Sequence, residues 1–329
     1  MYPNRPINPE MAATPARSVS ILLLPKFTLL QLGCVVDTLR IANRVARYEA
    51  YNWKIIATTD AVLSSTGISI NADLPLGSVK TSDFVIIVGG LDGYLHQDKS
   101  VRGWLQHISH GGAEIGAVSA GVWALARSGL LNGKRCAIHW DDAPSFAEMF
   151  PDVTATKDIF VKDGRFYTCA GGIAATDMML QIIGDKHGSV FAADVADLLV
   201  YSRRRSSTAV QRRVEVEDPI STESVRRAVA LMEDHIETLI TVEAIAKRIG
   251  ISRRKLERQF VSSLGATPKQ YYVTMRMRRA RKLLLETKLA VTEISFRCGY
   301  MSTSQFSNEF KAIYELSPLH YRRENSLLP

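Results

Sequence analysis

The chain has 329 residues, 46% of them hydrophobic and 22% charged, which fits a soluble globular protein too long for one small core and suggests two domains. The net charge of +8 is uneven: residues 1–200 hold 17 Lys and Arg against 19 Asp and Glu, whereas residues 201–329 hold 24 against 14. The basic back points to a polyanion, either nucleic acid or an anionic membrane surface, and the near-neutral front to a different job.

Residues 1–17, with four prolines and no periodicity, read as a loose tail. The apolar run ILLLP at Ile21 is too short to span a bilayer and lacks the features of a signal peptide. Cys34, Cys136, Cys169 and Cys298 are widely spaced with no C-x-x-C pair, which argues against a disulfide framework or a zinc site. A reducing cytoplasm is expected, with no metal and no cofactor.

Between residues 18 and 200, short apolar runs alternate with helical patterns. Strands are expected at 18–24 (SVSILLL), 53–57 (WKIIA), 84–88 (FVIIV), 115–118 and 166–169, and helices at 35–45, 101–109, 122–128 and 174–183. This alternation predicts an α/β domain with a mainly parallel sheet covered on both faces. Ligands of such sheets bind at the carboxyl ends of the strands. Gly89-Gly90, Ser119 and Gly171-Gly172 all fall at such ends.

The stretch GAVSAGVWALA, from Gly116 to Ala126, has the outline of a nucleophile elbow, one residue off G-x-S-x-G. His139, followed by Asp141 and Asp142, lies twenty residues on, so a Ser–His hydrolase is possible on spacing alone. The plainer reading makes Ser119 a small residue chosen for a tight turn. Backbone N–H groups at Gly89 and Gly90 suit an anionic oxygen. Trp140, with Trp123 or Tyr94, could face a cation or simply fill the core. Together they would suit a zwitterion such as an amino acid or a betaine.

The stretch GAVSAGVWALARSGLLNGKRCAIHW resembles the central motif of the class I glutamine-amidotransferase-like superfamily, in its PfpI-like branch. The resemblance implies that Ser119 takes the elbow position, normally a cysteine, and that His139 matches that family's histidine. The acid that follows the first strand in the enzymes would fall near Gln31, yet no Asp or Glu occurs between Ser18 and Val36. A serine hydroxyl has no useful ionised fraction at neutral pH. The expectation is therefore a pocket without catalytic residues, formed by Gln31, Gly89, Gly90, Ser119, Ala120, His139 and Trp140.

Residues 201–219 (YSRRRSSTAVQRRVEVEDP) lose periodicity and cluster charge, so a linker is expected over 201–220 and a second domain over 221–325. Ser221 reads as a helix cap before an apolar stripe at 225–236. An internal repeat follows. Leu256, Phe260, Pro268 and Tyr271 share spacings of four, eight and three with Phe306, Phe310, Pro318 and Tyr321, fifty residues on. Upstream, Ala246 and Ser295 each stand four residues before a glycine, Gly250 and Gly299. The small residue lets two helices approach, the glycine takes a left-handed turn, and Ser252 or Ser302 caps the next helix. This is the physics of two helix-turn-helix units in an all-α domain. The helix expected over 268–287 would space them by roughly 30 Å, close to the ~34 Å between successive major grooves. Arg276, Arg278, Arg279, Arg281 and Lys282 on it would then lie near phosphates, or form a merely solvated face.

Residues 225–323, and GYMSTSQFSNEFKAIYELSPLHYR above all, resemble the AraC/XylS regulators, a family with a known subgroup that carries an amidotransferase-like front domain. The resemblance implies a DNA-binding transcription regulator, mostly an activator, that senses a small metabolite such as an amino acid or quaternary amine. Double-stranded DNA, a homodimer mate and RNA polymerase are its implied partners, and a membrane is not. Matched base-reading positions are Arg254, Glu257 and Arg258 in the first unit, with Arg253 close by, and Thr303, Ser304, Gln305 and Asn308 in the second; the capping Ser252 and Ser302 complete the expected DNA-binding residues. Arginine suits guanine, glutamate the cytosine amine, and Gln or Asn adenine. Two other readings stay open: a bifunctional hydrolase using Ser119 and His139, and an architectural DNA binder without a ligand.

Overall fold

The computed structural model describes residues 15–325 except 203, 210 and 212–218. The expected tail at 1–17 therefore lies almost wholly outside the described residues. The chain divides into two compact units, Met1–Gln211 and Arg212–Pro329.

The front unit contains β1 (Arg17–Leu23), α1 (Leu29–Ala46), β2 (Tyr51–Ala57), β3 (Ala61–Leu63), β4 (Ser69–Asn71), β5 (Leu74–Pro75), β6 (Phe84–Val88), α2 (Lys99–His110) and β7 (Glu114–Val118). It continues with α3 (Gly121–Arg127), β8 (Arg135–Ala137), α4 (Ala143–Met149), β9 (Thr154–Thr156), β10 (Phe160–Asp163), β11 (Phe166–Cys169), α5 (Ala174–His187) and α6 (Ser189–Leu198). Seven strands form one sheet in the order β10-β11-β7-β6-β1-β2-β5. Only the β10–β11 pair is antiparallel.

The period of two along a strand explains why the central strands are apolar throughout. Ile21 and Leu23 face one core with Leu32, Val35 and Met178, while Leu22 and Leu24 face the other with Leu105, Val122 and Leu125. Helices α1, α5 and α6 cover the first face, and α2 and α3 the second. The expected parallel α/β sheet is thus present. α1 starts at Leu29 rather than 35, directly after an extended Thr28. Gln31 and Gly33 interrupt the apolar stripe and hide its first turn from a periodicity reading. The short β3–β5 and β8–β10 have too few residues to show a period.

Residues 201–211, read from sequence as linker, are held to the front unit. Asp177, fully buried on the first turn of α5, accepts from the Tyr201 hydroxyl at 2.9 Å and from the Arg205 backbone N–H at 2.8 Å. The Arg205 guanidinium closes an ion pair on the same carboxylate at 2.8 Å. Further on, Ser207 O accepts from Ile159 N. The Gln211 amide donates to Ile138 O and Asp158 O and accepts from Trp140 N.

The back unit is helical: α7 (Pro219–Asp234), α8 (Val242–Ile249), α9 (Arg253–Leu264), α10 (Pro268–Glu286), α11 (Val291–Arg297), α12 (Thr303–Tyr314) and α13 (Pro318–Asn325). α7 begins at Pro219, so Ser221 lies inside its first turn and is not the cap. Each repeat closes its own core. Ile245, Leu256 and Phe260 pack with Val225 in one, and Ile294, Phe306 and Phe310 with Leu283 in the other. α10 contributes Tyr272 to the first and Met277 to the second, which joins them.

Candidate functional sites: a strand-end elbow and two helix-turn-helix units

The parallel register brings the ends of β1, β6, β7 and β11 together. Ser119, directly after β7, has φ +53°, a left-handed conformation that a non-glycine residue rarely takes. Its N–H donates to Cys169 O at 2.9 Å, which fixes the turn against the end of β11. Gln31, buried on the first turn of α1, links two more strand ends. Its amide donates to Gly89 O at 3.0 Å and accepts from Gly172 N at 3.1 Å. A Cβ on Gly171 would stand 2.9 Å from the Gln31 amide and 3.2 Å from Ser119 Oγ. Gln31, Ser119 and the Gly171 backbone therefore converge.

The glycines are needed for close approach. A Cβ on Gly89 would lie 2.3 Å from Gly121 N, and one on Gly90 would lie 1.9 Å from Lys26 O. Ala120 is buried beneath Gly89 and Gly93, so its side chain packs instead of lining a cavity. Cys169 is wholly buried, and burial pushes its thiol up to about 12, so it stays protonated.

The geometry does not assemble a nucleophile–base pair. Among the described residues no hydrogen bond joins Ser119 Oγ to His139. His139 is half-buried, and its Nδ1 accepts from Asp141 N at 3.3 Å, which assigns the neutral ring's proton to Nε2. Trp140 is 44% exposed, so its ring is not core filling; Trp123, by contrast, is buried against Phe146 and Phe150. The Gln31 side chain is an amide, which unlike a carboxylate can donate to Gly89 O. Sequence reasoning placed Gly171 and Gly172 on this rim without counting them among the pocket residues, and it missed Gln211. The glycine pair was visible as a strand end. Gln211 acts across 53 to 73 residues of chain, and no local signal marks it.

In the back unit, Gly250 (φ +80°) and Gly299 (φ +75°) make the two turns. At Gly299 the constraint is double, because a Cβ would also lie 2.4 Å from Ile236 O. Ser252 accepts from Lys255 N and Ser302 from Gln305 N, so both hydroxyls are spent as caps. Arg254, Arg258, Ser304, Gln305 and Asn308 are exposed, and Thr303 is half-exposed, each on a recognition helix. Arg254 and Arg258 make no ion pair among the described residues. Arg253 differs: its guanidinium pairs with Glu243 of α8 and, at 2.7 Å, with Glu257 one turn on. In the second unit, Glu309 accepts from the Tyr300 hydroxyl and, at 3.3 Å, from the Gln305 amide.

The basic cluster on α10 departs from expectation. Arg276 is buried, donates to Cys298 O at 2.6 Å and Gly299 O at 3.1 Å, and lies 3.6 Å from the Tyr300 ring centre. Arg279 pairs with Glu237, Arg281 donates to the Tyr321 hydroxyl, and Lys282 pairs with Glu286. Three of the five cations expected near phosphates, Arg276, Arg279 and Arg281, tie α10 to other segments of this unit, and the Lys282 pair lies within α10.

Comparison with known proteins agrees with both units. Residues 17–185 match the DJ-1/PfpI family and residues 245–324 match a helix-turn-helix domain. The HTH-type transcriptional regulator GbdR of Pseudomonas aeruginosa is 34% identical over 314 residues, 94% of this chain and 85% of that protein. The HTH-type transcriptional regulator CdhR of the same species is 34% identical over 94% of this chain and 91% of its own length. A crystal structure of an AraC family transcriptional regulator from Pseudomonas putida, 26% identical, covers 56% of this chain and all of its own, with a TM-score of 0.52.

Proposed function

Because the chain belongs to the AraC-type helix-turn-helix regulators that carry a DJ-1/PfpI domain in front, we propose that it is a transcription activator governed by a small metabolite held at the Ser119 elbow. The observation that carries the DNA-binding half is the pair of glycine-turned, serine-capped helices α9 and α12, with Arg254, Arg258, Gln305 and Asn308 exposed on them. The protein acts as a homodimer in the cytoplasm and engages RNA polymerase at its promoters. Among the described residues, no helix is long and apolar enough to cross a membrane.

The front pocket binds without turning over. This reading is supported by the neutral Gln31 amide in the acid's place and the lack of a Ser119–His139 hydrogen bond. The ligand class is zwitterionic: the Gly90 N–H receives a carboxylate, the expected Gly89 N–H being already donated to Val118 O at 3.3 Å, and the exposed Trp140 face receives a quaternary or primary ammonium. Gln211 gives the site a route outward. It bonds to the backbone on both sides of His139 and is the last residue of the front unit. Ligand contact at His139 and Trp140 therefore bears on the anchor from which the chain leaves for the DNA-binding unit, shifting a pre-existing equilibrium.

Thermal melting of the full chain against amino acids, betaines and small amines tests this. A ligand at a hundred times its Kd stabilises by ~2.7 kcal/mol, and the gain should vanish in Trp140→Ala. Stabilisation that persists in Trp140→Ala and His139→Ala would move the site elsewhere. Ester or amide turnover that is lost in Ser119→Ala would establish a hydrolase instead, the reading favoured by the left-handed backbone at Ser119.

A further inference from the structure

The order of the sheet creates a second crevice. From β1 the chain moves outward to β2 and β5, then crosses back to β6 on the other side of β1. The loops that follow β1 and β6 leave in opposite directions, and the space between such loops is where open parallel sheets hold ligands. A cavity of about 390 Å³ lies there, a volume within the range of small-molecule sites. Leu24 and Pro25 after β1, Thr58 after β2 and the 95–102 segment after β6 line it, with Ala124 and Arg127 of α3. None of its lining residues belongs to the elbow.

The charges around it do not balance. Lys99, Arg102 and Arg127 line the cavity against one carboxylate, Asp98. Asp98 is already committed as the cap of α2, accepting from Ser100 N at 2.8 Å and Ser100 Oγ at 2.6 Å. Among the described residues none of the three cations has a carboxylate within ion-pair distance. Arg127 is the most telling. Its guanidinium is largely withdrawn from water, and burial pushes its pKa down to about 10. It donates to the carbonyls of Gly93, Tyr94 and His96, which fix its plane, and its Nε–H and second Nη2–H make no bond within the described protein. An arginine held rigid beside a cavity with unused donors and no counter-charge has the form of an anion receptor. His96 Nε2, on the same wall, is buried without a hydrogen-bond partner. Leu22, Leu24 and Val101 supply an apolar floor.

We infer that this switch-point cavity is a second ligand site, for a small metabolite with an anionic carboxylate or phosphate group and a short carbon skeleton. It is independent of the zwitterion pocket at the elbow, and it gives the front unit a second chemical input.

The test is the melting midpoint of the full chain by tryptophan fluorescence, in sodium phosphate and in sodium succinate, each against sodium chloride at equal ionic strength. Since Trp53, Trp104, Trp123 and Trp140 are the chain's tryptophans, the signal belongs to the front unit. A shift of roughly 2–4 °C is expected from at least one anion. Phosphate alone would assign a phosphoryl ligand, succinate alone a carboxylate, and both a site for either. The shift should be lost in the double variant Lys99→Gln/Arg102→Gln, which alters exposed side chains and leaves the Arg127 carbonyl clamp intact. It should survive in His139→Ala, which separates this site from the elbow. No shift beyond chloride, or a shift retained in the double variant as general salting-out would give, overturns the inference.

Discussion

Replacing Arg276 separates two accounts of the basic cluster on α10. If Arg276 grips a phosphate, lysine should serve nearly as well. In the structure its planar fork instead spans Cys298 O at 2.6 Å and Gly299 O at 3.1 Å while stacking on Tyr300. Hydrogen bonds from a charged group contribute about 1.5–3 kcal/mol each, and the cation–π contact about 1 kcal/mol. Truncation in Arg276→Met would also leave both carbonyls of the second turn without a donor, so a loss of about 3–5 kcal/mol is expected. Arg276→Lys keeps the charge but reaches only one carbonyl, and should recover less than half of that. Urea unfolding followed by far-UV circular dichroism reads the helices of both units, so the loss should appear in the part of the transition that tryptophan fluorescence does not share. Tryptophan fluorescence, confined to the front unit, is the control and should not move. Amide exchange should quicken along α11. A Lys variant with full stability, together with an Arg276→Met variant whose DNA affinity loses about one unit of salt slope, would refute the clamp and restore the phosphate contact.

Gln31→Glu should cost roughly 1–3 kcal/mol at neutral pH, since a carboxylate cannot donate to Gly89 O. Its folded-state pKa would lie above the ordinary ~4.3, so the penalty should be smallest below that value and grow as pH rises through the raised folded pKa; a pH-independent penalty would count against the assigned amide orientation. Gly250→Ala, with open space around its Cβ, should cost about 1–2 kcal/mol from backbone strain alone, and Gly299→Ala distinctly more because of Ile236 O; equal losses in urea titrations would contradict this. Asp177→Ala removes the acceptor of Tyr201 and Arg205, so limited trypsin digestion should cut at Arg204 and Arg205 several times faster, and unchanged cleavage would mean that the segment is held by other contacts. Arg254→Ala should weaken operator binding by roughly 1–3 kcal/mol and relax preference at one base pair, whereas Arg253→Ala, whose partners are Glu243 and Glu257, should act mainly through α8–α9 stability.

Much of this was legible in the sequence, for physical reasons that differ by region. Buried parallel strands such as FVIIV at β6 announce themselves because both faces must be apolar. The two helix-turn-helix units showed because each repeats the same needs: a small residue, a left-handed glycine, a serine cap and two aromatic or leucine core positions. The turn at Ser119 and the strand-end glycines were also readable, since each follows directly from its strand. What escaped were contacts between residues far apart in sequence. An arginine reads as a phosphate ligand until Cys298 O and Tyr300 are seen around it. A charged stretch such as 201–211 reads as linker until the buried Asp177 carboxylate is seen to hold Tyr201 and Arg205. The cations of the second cavity, Lys99 and Arg102 on α2 and Arg127 on α3, come together with the ends of β1 and β2 only through the crossing of the chain from β5 to β6.

The most direct test of the central claim is selection of duplexes from a randomised DNA library by the full-length protein, followed by the same selection with Arg254→Ala and with Asn308→Ala. Two short conserved elements about one helical turn apart are expected, with the Arg254 variant relaxing a guanine in one and the Asn308 variant an adenine in the other. Binding that enriches no sequence, or a single element indifferent to both substitutions, would contradict the assignment of α9 and α12 as recognition helices of a sequence-specific regulator.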